Sequence, residues 1–175
     1  MIFEKICPEV HLDARGSLFE VYSETTKYDL VPVHMYISRS KRGTVRGFHQ
    51  QLTFPQNKLV FCISGHVADF GININPLSKS FGLLKKHSLS TNDGVLIGDK
   101  VAHGFECLSD ECTLLYICDQ SYDPHGQLNI CPVAEELKDV WSTENPELSP
   151  KDMQGVTLSQ AKQLLLKYVG NNYGL

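Results

Sequence analysis

Hydrophobic and polar positions alternate along much of the chain as far as Cys118, in short stretches cut by turn residues. After the turn Asp13-Ala14-Arg15-Gly16, Leu18, Glu20 and Tyr22 alternate with Phe19 and Val21, which suits a strand. Thr25 to Leu30 is polar and reads as a loop or short helix; Val33 to Ser40 alternates again and ends in the basic turn Lys41-Arg42-Gly43. The same grammar gives strands at Leu59–Ile63, Val67–Ile74, Phe81–Leu89, Val95–Ile97, Val101–Leu108 and Thr113–Cys118. Short strands at this spacing, without βαβ alternation or a Gly-rich phosphate loop, predict an all-β sandwich or barrel.

Beyond Asp123-Pro124-His125-Gly126 the pattern fades into a segment with Pro146 and Pro150, expected to cover the barrel irregularly. Thr157-Leu158-Ser159-Gln160 has capping-box spacing, with Thr157 placed to cap and Gln160 to reach back. Ala161, Leu164, Leu165 and Tyr168 then share a helical face and Gly170 is expected to end the helix, which packs on the barrel or on a partner subunit.

Composition narrows the function classes. At 175 residues the chain is one domain with room for a small appendage, and 42% hydrophobic with 21% charged residues is ordinary for a globular protein. A net charge of −4 gives no electrostatic reason to expect nucleic acid, although a phosphate-bearing ligand needs only a few local cations. Cysteines 7, 62, 107, 112, 118 and 131 form no Cys-x-x-Cys pair, and Cys62, Cys107 and Cys118 lie in apolar surroundings that suit buried thiols. Met1-Ile2-Phe3-Glu4-Lys5 lacks a basic segment followed by an apolar run, and no stretch approaches the ~20 apolar residues of a membrane span. The expectation is a reduced, cytoplasmic protein with neither membrane nor nucleic acid as partner.

The chemistry gathers around Arg46-Gly47-Phe48-His49-Gln50-Gln51, flanked by strand-like Thr44-Val45 and Lys58-Leu59-Val60. Simple alternation puts Gly47, His49 and Gln51 on one face and Arg46, Phe48 and Gln50 on the other. A His and an Arg held on a sheet are well placed to act on an anionic or carbonyl-bearing small molecule, with His49 as base. A second His stands in Ala102-His103-Gly104-Phe105, Lys58 opens a strand, Tyr116 lies in Leu115-Tyr116-Ile117, and Asp152 follows Ser149-Pro150-Lys151. His49 is followed by Gln50 and Gln51, so there is no His-x-His ligand pair, and His49 with His103 makes a poor transition-metal site; no metal is expected.

Several motifs in one order carry a resemblance. They are Asp13-x-Arg15-Gly16-x-x-x-Glu20, Ser38-x-Ser40-x-x-Gly43-Thr44-Val45-Arg46-Gly47-Phe48-His49-x-Gln51, Lys58-Leu59-Val60, Ala102-His103-Gly104-Phe105, Leu115-Tyr116 and Tyr122-x-Pro124. Across residues 10 to 152 the chain resembles the dTDP-4-dehydrorhamnose 3,5-epimerase family, the RmlC-type cupins. The resemblance implies a cupin jelly-roll over residues 1–154 with a helical tail over 155–175. It also implies a homodimer without cofactor or metal, acting on a nucleotide-diphosphate sugar. Inversion would be at C3, C5 or both carbons of a 4-keto-6-deoxy sugar or 4-keto heptose. It assigns catalytic places to His49, Asp152, Lys58 and Tyr116, substrate-binding places to Arg46, Gln51 and His103, and nucleotide contacts to Arg15 and Glu20, with Arg46 or Arg15 able to bind the diphosphate by charge-assisted hydrogen bonds. A proton beside a ketone is removable only if the enolate oxygen is stabilised, which Lys58 can do, and inversion needs an acid on the opposite ring face, which a Tyr phenol can be.

The chain departs from the family in places. His34-Met35-Tyr36 stands where Gln-x-Asn is usual and alters the pocket wall near the sugar, and Asn73-Ile74-Asn75 stands where an acidic residue and Arg are common. The same fold also serves 3,4-ketoisomerases of nucleotide sugars and leaves room for a non-catalytic sugar-nucleotide-binding cupin.

Overall fold

The structure, a computed structural model, describes residues 1–23 and 28–173, the last four by their backbone alone. The loop expected from Thr25 therefore lies, up to Lys27, outside the described residues. In chain order the strands are Phe3–Ile6 (β1), Val10–Asp13 (β2), Gly16–Phe19 (β3), His34–Lys41 (β4), Val45–Gln51 (β5), Lys58–Ser64 (β6), His66–Asn73 (β7), Leu84–Ser90 (β8), Gly94–Ile97 (β9), Val101–Cys107 (β10), Glu111–Cys118 (β11) and Gln127–Asn129 (β12). Pro150–Met153 (α1) and Leu158–Tyr173 (α2) follow.

Two five-stranded sheets face each other in the order β1-β9-β6-β11-β4 and β12-β5-β10-β7-β8, and β2 and β3 form a separate hairpin. Every pairing between strands is antiparallel. The expected all-β jelly-roll is what the chain builds.

Alternation decides which side chains enter the barrel. Val60 and Cys62 of β6, Val67 of β7, Phe105 and Cys107 of β10, and Cys112 and Leu114 of β11 pack between the sheets. The opposite faces are buried too. Leu59, Phe61 and Ile117 pack with Leu30, and Phe48, Phe70 and Ile72 pack with Leu137, Trp141, Ala161 and Leu165 from the C-terminal segment. Burial on both faces explains why Lys58–Ile63 reads as a nearly continuous apolar run.

The capping box forms as expected. Gln160 N donates to Thr157 Oγ1 (3.2 Å) and Thr157 N donates to Gln160 Oε1 (2.9 Å). Two details of the tail differ from expectation. Leu164 and Tyr168 are exposed while Ala161 and Leu165 are buried, and the helix runs through Gly170 to Tyr173. A single Gly costs a helix only about 1 kcal/mol, which does not suffice to stop it. Among the described residues no helix is long and apolar enough to cross a membrane.

Candidate active site

One end of the barrel is filled by the apolar core; further along, polar side chains from both sheets line a cavity of about 330 Å³. That is within the range of small-molecule sites. The first sheet contributes Tyr36 and Ser38 from β4, Lys58 from β6 and Tyr116 from β11. The facing sheet contributes Arg46, His49 and Gln51 from β5, His103 and Phe105 from β10 and Gln127 from β12. Gln56, Tyr122, Ser149, Lys151 and Asp152 complete the wall from loops and α1. His49 and Tyr116 therefore enter one cavity from opposing sheets.

Asp152 reaches His49 across 103 positions of chain through a series of anchors. The buried Glu106 carboxylate accepts from Ser142 N (2.8 Å), Ser142 Oγ (2.6 Å) and Thr143 N (2.9 Å). Next, Val45 N donates to Glu147 O (3.1 Å) and Glu147 N to Gly43 O (3.0 Å), laying the segment along the start of β5. Ser149 then caps α1 by accepting from Asp152 N (3.1 Å), and its hydroxyl donates to Asp152 Oδ2 (2.8 Å). The remaining carboxylate oxygen, Oδ1, lies 2.5 Å from His49 Nε2. Burial works to raise the Asp152 carboxyl, but the hydrogen bond and charge of His49 together with the hydrogen bonds of Ser149 outweigh it and hold the group below its ordinary value. An ionised acceptor at Nε2 fixes the neutral imidazole as the Nε2–H tautomer and leaves the Nδ1 lone pair for chemistry.

A second imidazole–carboxylate pair lies deeper. His103 Nε2 is 2.8 Å from Asp69 Oδ2; both residues are buried, and Asp69 Oδ1 has no partner among the described residues. His103 and His49 are direct neighbours across β10 and β5. Lys58 is buried without a carboxylate partner within ion-pair distance among the described residues. Burial pushes its ammonium below the ordinary value, opposed by the Cys118 thiol and Asp119 carboxylate nearby. Tyr116 is raised well above its ordinary value, first by burial and then by Tyr36 and Asp69, so its phenol keeps its proton at neutral pH.

The β5 alternation expected from the sequence fails at one point. Arg46 pairs with Phe105 and His49 with His103, so three steps along β5 match two along β10. This bulge turns Arg46 and His49 toward the same cavity while Phe48 packs on Trp141. It also brings Gly47 (φ 123°) so close to Gly104 that a Cβ there would lie 2.5 Å from the Gly104 Cα. Only glycine fits that contact.

The structure brings together seven of the nine residues expected at the site: His49, Asp152, Lys58, Tyr116, Arg46, Gln51 and His103. Gln51 serves the wall itself. Its amide donates to Phe54 O (2.7 Å) and Ser121 O (2.8 Å) and accepts from Asp123 N (2.7 Å), tying two loops at the rim. Arg15 and Glu20 are exposed on and beside the β2–β3 hairpin, away from this cavity, with Arg15 paired to Asp13. Sequence reasoning missed Asp69, although a lone acid in the apolar stretch Val67–Ile74 is a signal, because buried carboxylates are rare unless paired. It also missed the cationic rim residue Lys151, whose Nζ donates to Gln127 Oε1 (2.5 Å), whereas Tyr36, expected at the pocket wall, does line the cavity. Among the described residues no group of three or more His, Cys, Asp and Glu side chains is arranged to hold a metal ion.

Residues 3–160 match the family described as dTDP-4-dehydrorhamnose 3,5-epimerase. A dTDP-4-dehydrorhamnose 3-epimerase of Streptomyces niveus is 32% identical over 166 residues, 90% of this chain and 80% of its own. Among solved structures, a 4-keto-6-deoxy sugar epimerase from the novobiocin gene cluster of Streptomyces spheroides superposes with a TM-score of 0.85 at 31% identity, covering 94% of this chain and 86% of that one. The Legionella pneumophila dTDP-6-deoxy-D-glucose-3,5-epimerase, solved with dTDP-4-keto-L-rhamnose, gives a TM-score of 0.84 at 30% identity, over 90% of this chain and 88% of that one.

Proposed function

The chain belongs to the dTDP-4-dehydrorhamnose 3,5-epimerase family, and from that premise we propose that its cavity inverts a carbon beside the ketone of a nucleotide-diphosphate-linked 4-keto-6-deoxy sugar. The single observation that carries the reading is the His49–Asp152 pair, 2.5 Å apart, in a cavity that the Tyr116 ring enters from the opposite sheet.

His49 Nδ1 takes the carbon-bound proton, the C–H electron pair moves into a C=C bond, and the ketone becomes an enolate. The Lys58 ammonium and His103 imidazole polarise that oxygen. Among the described residues Lys58 has no carboxylate partner within ion-pair distance, and burial strips much of its water shell, so its charge acts at low dielectric, where stabilising a developing oxyanion is worth most. Tyr116 then gives its phenolic proton to the carbon from the other face of the ring, and solvent restores both groups. Arg46 and Lys151, at the wall of the same cavity, bind the diphosphate by charge-assisted hydrogen bonds.

The protein acts as a homodimer. The edge strand β4 exposes Met35 (62%) and Ile37 (58%), and the hairpin exposes Leu12 (79%) and Leu18 (71%), an apolar surface that a second copy covers. Arg15 and Glu20 contact the nucleotide where that hairpin meets the cavity of the second copy. The substrate class and the six free cysteines fit a reducing cytoplasm.

The test is incubation with TDP-, GDP- and CDP-linked 4-keto-6-deoxy sugars in heavy water, followed by NMR of C3 and C5. Deuterium with inversion at one or both carbons supports the reading. Ketone migration, or no deuterium from any of the three, overturns it.

A further inference from the structure

Tyr36 is exposed enough (41%) on an edge strand that it adds little to the core, yet its ring lines the cavity. It is the direct partner of Tyr116 across β4 and β11. The two rings lie parallel, with centroids 4.5 Å apart and planes 7° from coincident. His34 also meets Tyr36, at a tilt (5.4 Å, 40°), and His103 meets Tyr116 edge-on (6.0 Å, 66°). No described residue hydrogen-bonds the Tyr36 hydroxyl, so what this side chain offers Tyr116 is the face of its ring.

We propose that Tyr36 is a positioning residue for proton return: its ring holds the Tyr116 phenol in place, so that protonation from Tyr116 competes with return of the proton from His49. The inference rests on the epimerase reading and adds to it a residue that acts through Tyr116.

An enolate between two donors partitions. If the protonated His49 returns a proton, the C–H bond re-forms on the original face. Once His49 has exchanged with solvent, that gives deuterium without inversion. If the Tyr116 O–H bond breaks instead, the C–H bond forms on the opposite face and a phenolate is left, which solvent reprotonates. The ratio of exchange without inversion to inversion therefore reads the placement of Tyr116. Loss of substrate affinity or of folded protein lowers both products together and leaves the ratio unchanged.

The experiment measures that ratio in heavy water at saturating substrate, using the 4-keto sugar nucleotide that the wild-type protein turns over. Tyr36→Leu removes the stack, and the ratio rises about 2- to 12-fold, the span of an aromatic pair's contribution taken as a rate factor. Tyr36→Phe keeps the ring and returns the ratio to the wild-type value. Tyr36→Thr, suited to an exposed edge strand, gives the same readout as the leucine variant should that one fail to fold. A ratio unmoved in every ring-removing variant, or a phenylalanine variant that behaves like leucine, overturns the proposal while wild-type turnover leaves the epimerase reading standing. Absence of exchange in the wild-type protein removes both.

Discussion

Asp152→Ala separates the support of the base from the base itself. The carboxylate touches His49 only at Nε2, 2.5 Å away, on the nitrogen that does not meet substrate in this account. Its removal leaves Nδ1 in place but frees the ring to adopt the other tautomer and to turn. A charge-assisted hydrogen bond of this kind contributes about 1.5–3 kcal/mol, which corresponds to a loss of about 10- to 160-fold in the proton-abstraction rate. The assay is initial deuterium incorporation at saturating substrate, with KM measured in parallel and expected to change little. The variant has a second signature. Because the folded-state carboxyl is held below the ordinary 3.8, its contribution is fully present above that pH and is lost as pH falls through the folded value. Asp152→Ala therefore flattens the acid limb of the stability profile below about pH 4, read from urea midpoints. An exchange rate within about twofold of wild type, or a rise in KM with kcat retained, refutes the assignment.

Three further outcomes follow from the same geometry. Lys58→Met lowers kcat about 100- to 1,000-fold by removing the charge beside the enolate, while raising the melting temperature, because it removes a buried ammonium that no described carboxylate pairs. Since burial lowers the folded-state pKa of Lys58, the unfolded chain binds more protons as pH approaches 10.5, and wild-type stability gains on that approach relative to the methionine variant. Gly47→Ala, which drives a Cβ into the Gly104 backbone, costs at least about 2 kcal/mol in chemical denaturation and is not rescued by substrate. Met35→Asp, on an exposed β4 position, converts the proposed dimer to a monomer in light scattering without lowering the secondary-structure content seen by circular dichroism.

The barrel was legible because alternation and turn residues are local. Val60 and Cys62 point inward and Leu59 and Phe61 outward, as the period of two requires, and the strands from Val33 to Cys118 fall close to their expected bounds. The bulge at Gly47 was not, since it depends on Gly104, a neighbour brought in by β10, and it is what sets Arg46 beside His49. Phe81–Leu83 read as strand but forms a turn before β8, where Gly82 N donates to Asn73 O (2.8 Å). Asp152 could be named from a motif match, but its approach to His49 depends on Glu106, Ser142 and Ser149, side-chain anchors that leave no periodic trace. Asp69 left a trace that periodicity alone reads as noise: one acid in an apolar strand, whose partner His103 lies on a different strand.

Deuterium NMR of His49→Ala and Tyr116→Phe, run beside wild type on the same 4-keto sugar nucleotide, goes most directly to whether two opposed groups handle one proton. Tyr116→Phe is expected to give deuterium without inversion, and His49→Ala neither exchange nor inversion. Continued exchange in His49→Ala, or full inversion in Tyr116→Phe, contradicts that expectation.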